Sequence, residues 1–99
     1  MALEALYEPL NRLSGKTLDM RRAIASLIEE LEAIDHYQQR VDAADDAQLK
    51  AILAHNRDEE KEHAVMLTEW LRRNDEKLAE EIGTYLNSKG AIDEIGHGH

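Results

Sequence analysis

Glu30, Glu60 and His63 are the residues of this chain whose types and spacing are best suited to chemistry. Carboxylate oxygens and an imidazole nitrogen together form a ligand set for divalent iron, manganese or zinc. Glu60 and His63 are three residues apart, so on a helix they share a face. The Glu-x-x-His motif is weak by itself. A chain this rich in glutamate, with five histidines, is expected to contain it by chance, and Glu94-Ile95-Gly96-His97 is a second instance. The weight comes from where the three residues fall in the hydrophobic pattern.

Two stripes carry that pattern. Ala23, Leu27, Glu30, Ile34, Tyr37 and Val41 follow one another at alternating steps of four and three, the spacing of a packed helical seam. Glu30 is the only charged member. Leu49, Leu53, Asn56, Glu60, His63, Leu67 and Trp70 repeat the spacing, with apolar ends around a polar middle. A turn near Asp45 places Glu30 and Glu60 at the same height of an antiparallel hairpin, roughly 22 Å from the turn. No Lys or Arg belongs to either stripe on this reading. Buried carboxylates without a counter-charge cost several kcal/mol or become protonated. A bound cation removes the difficulty. Di-iron carboxylate bundles take one Glu from each of two helices and Glu-x-x-His from each of two more. This chain has half of that set, and a two-fold axis through the site supplies the remainder.

The elements that must position these residues are helices. An arm around Pro9 occupies residues 1–13, and Ser14-Gly15-Lys16-Thr17 reads as a helix start. Helix A is expected over about 17–42, with no Gly or Pro in its interior. Asp45 and Gln48 have the spacing of a capping box before helix B, about 46–73. Asn74 or Asp75 can cap a helix C over about 75–88, with Gly90 as a stop and 91–99 as a tail. The fold class is all-α, one domain of 99 residues, without strands or repeats. Such a short hairpin leaves most of its surface wet and is expected to oligomerise or bind metal.

Composition narrows the function further. The net charge of −9 disfavours nucleic acid and anionic membranes as partners and favours cations. No apolar run is long enough to span a bilayer, and no secretory signal is visible at Met1. The absence of cysteine excludes disulfides and thiolate chemistry and fits a reducing cytosol.

Ile28-Glu29-Glu30-Leu31-Glu32-Ala33-Ile34-Asp35-His36-Tyr37 and Ala51-Ile52-Leu53-Ala54-His55-Asn56-Arg57-Asp58-Glu59-Glu60-Lys61-Glu62-His63-Ala64, with Glu69 to Asp75, resemble the encapsulated ferritins. The resemblance spans roughly residues 24–85. It implies a half-ferritin hairpin that pairs into a ferritin-like four-helix bundle and assembles as a ring-shaped decamer. It implies a ferroxidase, with iron as substrate and dioxygen as acceptor, working as cargo of an encapsulin shell in the cytoplasm. By position, Glu30, Glu60 and His63 match its iron ligands, Glu60 as the bridging carboxylate. Tyr37 matches a tyrosine beside the site, and Glu29 and Glu32 an acidic iron-entry cluster. Zinc, manganese or calcium could occupy the same ligands. His36 stands where well-known members carry tryptophan. It is either a polar replacement on an exposed face or a nitrogen ligand added to the entry cluster. The tail to His99 shows none of the apolar docking peptide that cargo members carry. Two other classes fit the bare residues: an acidic hairpin that binds another protein, and a structural zinc or calcium site.

Overall fold

The computed structural model describes residues 6–96 as three helices: α1 (Gly15–Ala43), α2 (Ala47–Asn74) and α3 (Glu76–Tyr85). Single 3-10 turns lie at Leu10–Arg12 and Ile92–Glu94, and there is no strand among the described residues. Each long helix starts where a short polar side chain satisfies an exposed amide. The Ser14 hydroxyl oxygen accepts the Thr17 N–H at 3.1 Å, and the Asp75 carboxylate accepts that of Leu78 at 2.9 Å. For α2 the cap is Asp46, which accepts from Leu49 at 2.8 Å. The box expected between Asp45 and Gln48 is therefore not formed. The chain is extended at Asp46, the carboxylate reaches the third helical amide, and that amide belongs to Leu49. Lys50 closes the hairpin from the other side, its ammonium donating to the Val41 and Ala44 carbonyls at the end of α1. A cation there also suits the helix dipole. Helix α3 ends at Tyr85 rather than near Ser88, because Asn87 adopts a left-handed φ of 62°.

Helices α1 and α2 pack as an antiparallel hairpin, and α3 packs on the end of α2. The α1 stripe is the one the sequence predicts: Ala23 is buried, and Leu27, Glu30, Ile34, Tyr37 and Val41 are half-buried. The α2 stripe keeps Leu53, Asn56, Glu60, His63 and Leu67 at least half-buried, as the sequence predicts, but its most buried positions lie one residue further on. Its contact line is Lys50, Leu53, Arg57, Glu60, Ala64, Leu67 and Leu71, with Ala64 and Leu71 buried. Leu49 is instead 48% exposed and Trp70 38%. The small Ala23 and Ala64 let the two backbones approach. Lys50 and Arg57 contribute their aliphatic stems to the seam and carry their charges out of it. The expectation of a seam free of basic residues is thus corrected.

The hairpin is thin, measuring 49 × 43 × 19 Å. Its radius of gyration is 17.5 Å, where a compact domain of this length would have roughly 13 Å. Only Ala23, Ala64 and Leu71 are buried among the described residues. The chain exposes 7664 Å², about a third more than a folded monomer of its size would. The excess is apolar on two flanks. Leu49, Ile52 and Trp70 are exposed on one, and Ile24 and Leu31 on the other. No helix is long and apolar enough to cross a membrane among the described residues.

Candidate metal centre

The site lies midway along the hairpin. Glu30 comes from α1, and Glu60 and His63 from adjacent turns of α2. His63 Nδ1 is 3.3 Å from Glu30 Oε2 and 3.7 Å from Glu60 Oε2. One ligand atom from each of the three residues lies within 4.8 Å of the others. Capping, hairpin register and the three-residue step along α2 together bring residues 33 positions apart into contact. The side chains are 23%, 22% and 43% exposed for Glu30, Glu60 and His63. The centre is therefore not in a dry interior. His63 is the most open of the three, on the same side of α2 as the exposed Leu49 and Trp70.

Electrostatics mark the pair as short of positive charge. A hydrogen bond to Glu60 raises the Glu30 carboxyl above its ordinary value, with burial and the Glu60 charge adding to it. His63 opposes the shift without overcoming it. Two carboxyl groups held together beside an imidazole form a donor set that a divalent cation can take over. The residues present fit a metal on chemical grounds.

The remaining predicted residues are placed differently. Tyr37 is half-buried on α1, about 10 Å along the axis from Glu30. Its ring lies 5.3 Å beneath the Arg40 guanidinium, an unpredicted contact. Glu29 and His36 are exposed, and Glu32 is half-buried. Their ligand atoms are not gathered within reach of one ion, although the residues share a helical face. Glu94 is exposed in the 3-10 turn at Ile92–Glu94, and His97 lies outside the described residues. A second group was missed by the sequence reading. Glu59 and Glu62, both exposed, have ligand atoms close to one of His63, and His55 Nε2 lies 3.1 Å from Glu59 Oε1. Steps of three and four along α2 were its available signal.

Comparison with known proteins identifies the family and the fold. The chain is 61% identical over 89 residues to an encapsulated ferritin-like protein of Rhodospirillum rubrum, covering 90% of this chain. It spans 64% of that relative's length, less than two thirds. It is 44% identical over 62 residues to the encapsulin nanocompartment cargo protein EncC of Myxococcus xanthus, covering 62% of this chain and 48% of that protein. The crystal structure of protein ne0167 from Nitrosomonas europaea has the same fold, with a TM-score of 0.86 and 57% identity, over 90% of this chain and 98% of that one. The all-α fold is accordingly ferritin-like. With residues 5–89 matching its pattern, this chain belongs to the EncFtn-like family.

Proposed function

We propose that the chain is a ferroxidase whose di-iron site is completed by a second copy of itself. The observation that carries this reading is the convergence of Glu30, Glu60 and His63 on a partly open flank, with only an imidazole to offset the two acids. Doubled across a two-fold axis, Glu30 and Glu60 supply four carboxylates. These balance the four positive charges of two ferrous ions. Hard oxygen ligands favour the ferric product, which gives the oxidation a direction when dioxygen accepts the electrons. The residues themselves bind, orient and neutralise, and none has to act as a nucleophile. Tyr37 stands about 10 Å along α1 from Glu30, a distance that suits an electron donor rather than a hydrogen-bond donor to the site. Glu29, Glu32 and His36 form an outer acidic face that concentrates cations.

Pairing has its own support. The excess exposed surface is roughly 2,000 Å² per chain, the scale of a large permanent interface. A pair formed through the site flank would still expose Ile24 and Leu31. Further copies can associate there and close a ring, which accommodates a decamer. The relatives' names extend the proposal to an encapsulin shell, in which the ferric product would accumulate.

Oxygen uptake by the purified full chain after addition of Fe²⁺ tests the reading. Rapid consumption that scales with protein is expected. Consumption at the rate of buffer alone would overturn the ferroxidase and leave a binding or structural metal protein.

A further inference from the structure

Glu60 has two cations close by on its own helix, Arg57 one turn before it and Lys61 immediately after. An Arg–Glu pair at this three-residue spacing is within reach on a helix. Yet neither cation is hydrogen-bonded to Glu60. The Arg57 Nη1–H donates to Gln38 Oε1 at 3.0 Å, across the hairpin. Its Nε–H donates to Asp58 Oδ1 at 3.0 Å. Lys61 Nζ donates to that same Asp58 oxygen at 3.2 Å. Gln38 is itself oriented, because its Nε2–H donates to Asp42 Oδ1 at 3.3 Å and leaves the carbonyl oxygen for Arg57. By helical rotation Gln38 lies a heptad beyond Leu31, on the flank opposite His63. The Arg57 stem thus crosses the contact line, 20% exposed, while its charge is drawn to the far side.

We propose that Gln38 and Asp58 are positioning residues that hold Arg57 away from Glu60, so that the carboxylate pair stays free for a divalent cation. The inference rests on the metal site proposed above. Without the clamp, Arg57 can turn back along α2 and pair with Glu60. A bound metal would then have to displace a guanidinium. An arginine occupies a carboxylate with directional, charge-assisted bonds, so this competition is substantial. The clamp also explains why an arginine is tolerated on the contact line at all.

Co²⁺ titration of the full chain, followed by visible absorbance and calorimetry, tests this without reference to iron oxidation. The variant Q38L/D58A should bind Co²⁺ about tenfold more weakly, equivalent to roughly 1.4 kcal/mol. Adding R57M to it should restore affinity to near that of the wild type, and R57M alone should not weaken binding. Q38E keeps an acceptor for Arg57 and should bind as tightly as the wild type. Helical content by circular dichroism checks that each variant folds. Wild-type affinity in Q38L/D58A, or no rescue by R57M, overturns the clamp alone. A wild-type chain that takes up no Co²⁺ overturns the metal site and the clamp with it.

Discussion

Two acidic positions on α2, nine residues apart, are handled in opposite ways. Glu69 is gripped by two arginines. Arg72 donates to it from Nε and Nη2 at 2.7 and 2.8 Å, and Arg73 from Nε at 2.7 Å. Arg72 first, then Arg73, hold its carboxyl down at about 2. Glu60 has a second glutamate and an imidazole for company, and Glu30 beside it is pushed up instead. Both environments are partly exposed and both are built from neighbouring helical turns. The difference is the supply of guanidinium. An acid with its own counter-ions is finished within the chain and braces the end of α2 near α3. An acid pair whose nearest arginine is tied elsewhere is finished only by something positive from outside.

The sharpest way to break this contrast is to remove one acid from each cluster. Glu30→Ala should lower the initial rate of Fe²⁺ oxidation at least a hundredfold, because it removes one carboxylate from each half of the shared site. Glu69→Ala should leave the rate unchanged. Equal rates in wild type and Glu30→Ala, measured by oxygen electrode, would remove Glu30 from the centre.

Metal removal comes next in size. A site shared between chains makes metal binding and association one equilibrium. Chelated protein should shift towards smaller species in light scattering, and Fe²⁺ or Mn²⁺ should restore the larger ones. One mass under all conditions would separate the site from the interface.

The two clusters should also respond to pH with opposite signs. The Glu30 carboxyl is raised in the folded chain, so its contribution is complete below its ordinary value of 4.5 and lost as pH climbs through the raised value. Metal-free protein should therefore melt at a lower temperature as pH rises through that window, and Glu30→Gln should flatten the slope. Glu69 is depressed, so its contribution is present above 4.5 and fades as pH falls towards about 2. Solvent screening keeps that effect small. Thermal melts of Glu30→Gln and Glu69→Gln across the acid range would reveal both slopes. Slopes of the same sign would end the comparison.

Much of this arrangement was legible in the residues. Helix-favouring composition, Ser14 and Asp75 as caps, and a stripe through Glu30 are local properties, and the structure repeats them. The heights of Glu30 and Glu60 follow from the rise per residue and a short turn. The α2 stripe was read incompletely, because hydrophobic spacing scores Lys50 and Arg57 as polar although both are half-buried. In the fold their methylenes are what pack. That omission also hid the cross-helix bond from Arg57 to Gln38, which joins residues 19 positions apart and has no sequence signature.

Sequence alone determined that this chain forms an acidic helical hairpin carrying two glutamates and a histidine at one level, since periodicity and helical rise leave little choice. Only tertiary packing decided which side of the α2 stripe is buried most deeply. Ala64 and Leu71 are buried while His63 and Trp70, one residue before each, stay partly open, and Arg57 carries its charge across to Gln38. Rotation of one helix against another depends on side-chain volumes from both, and neither helix encodes it separately.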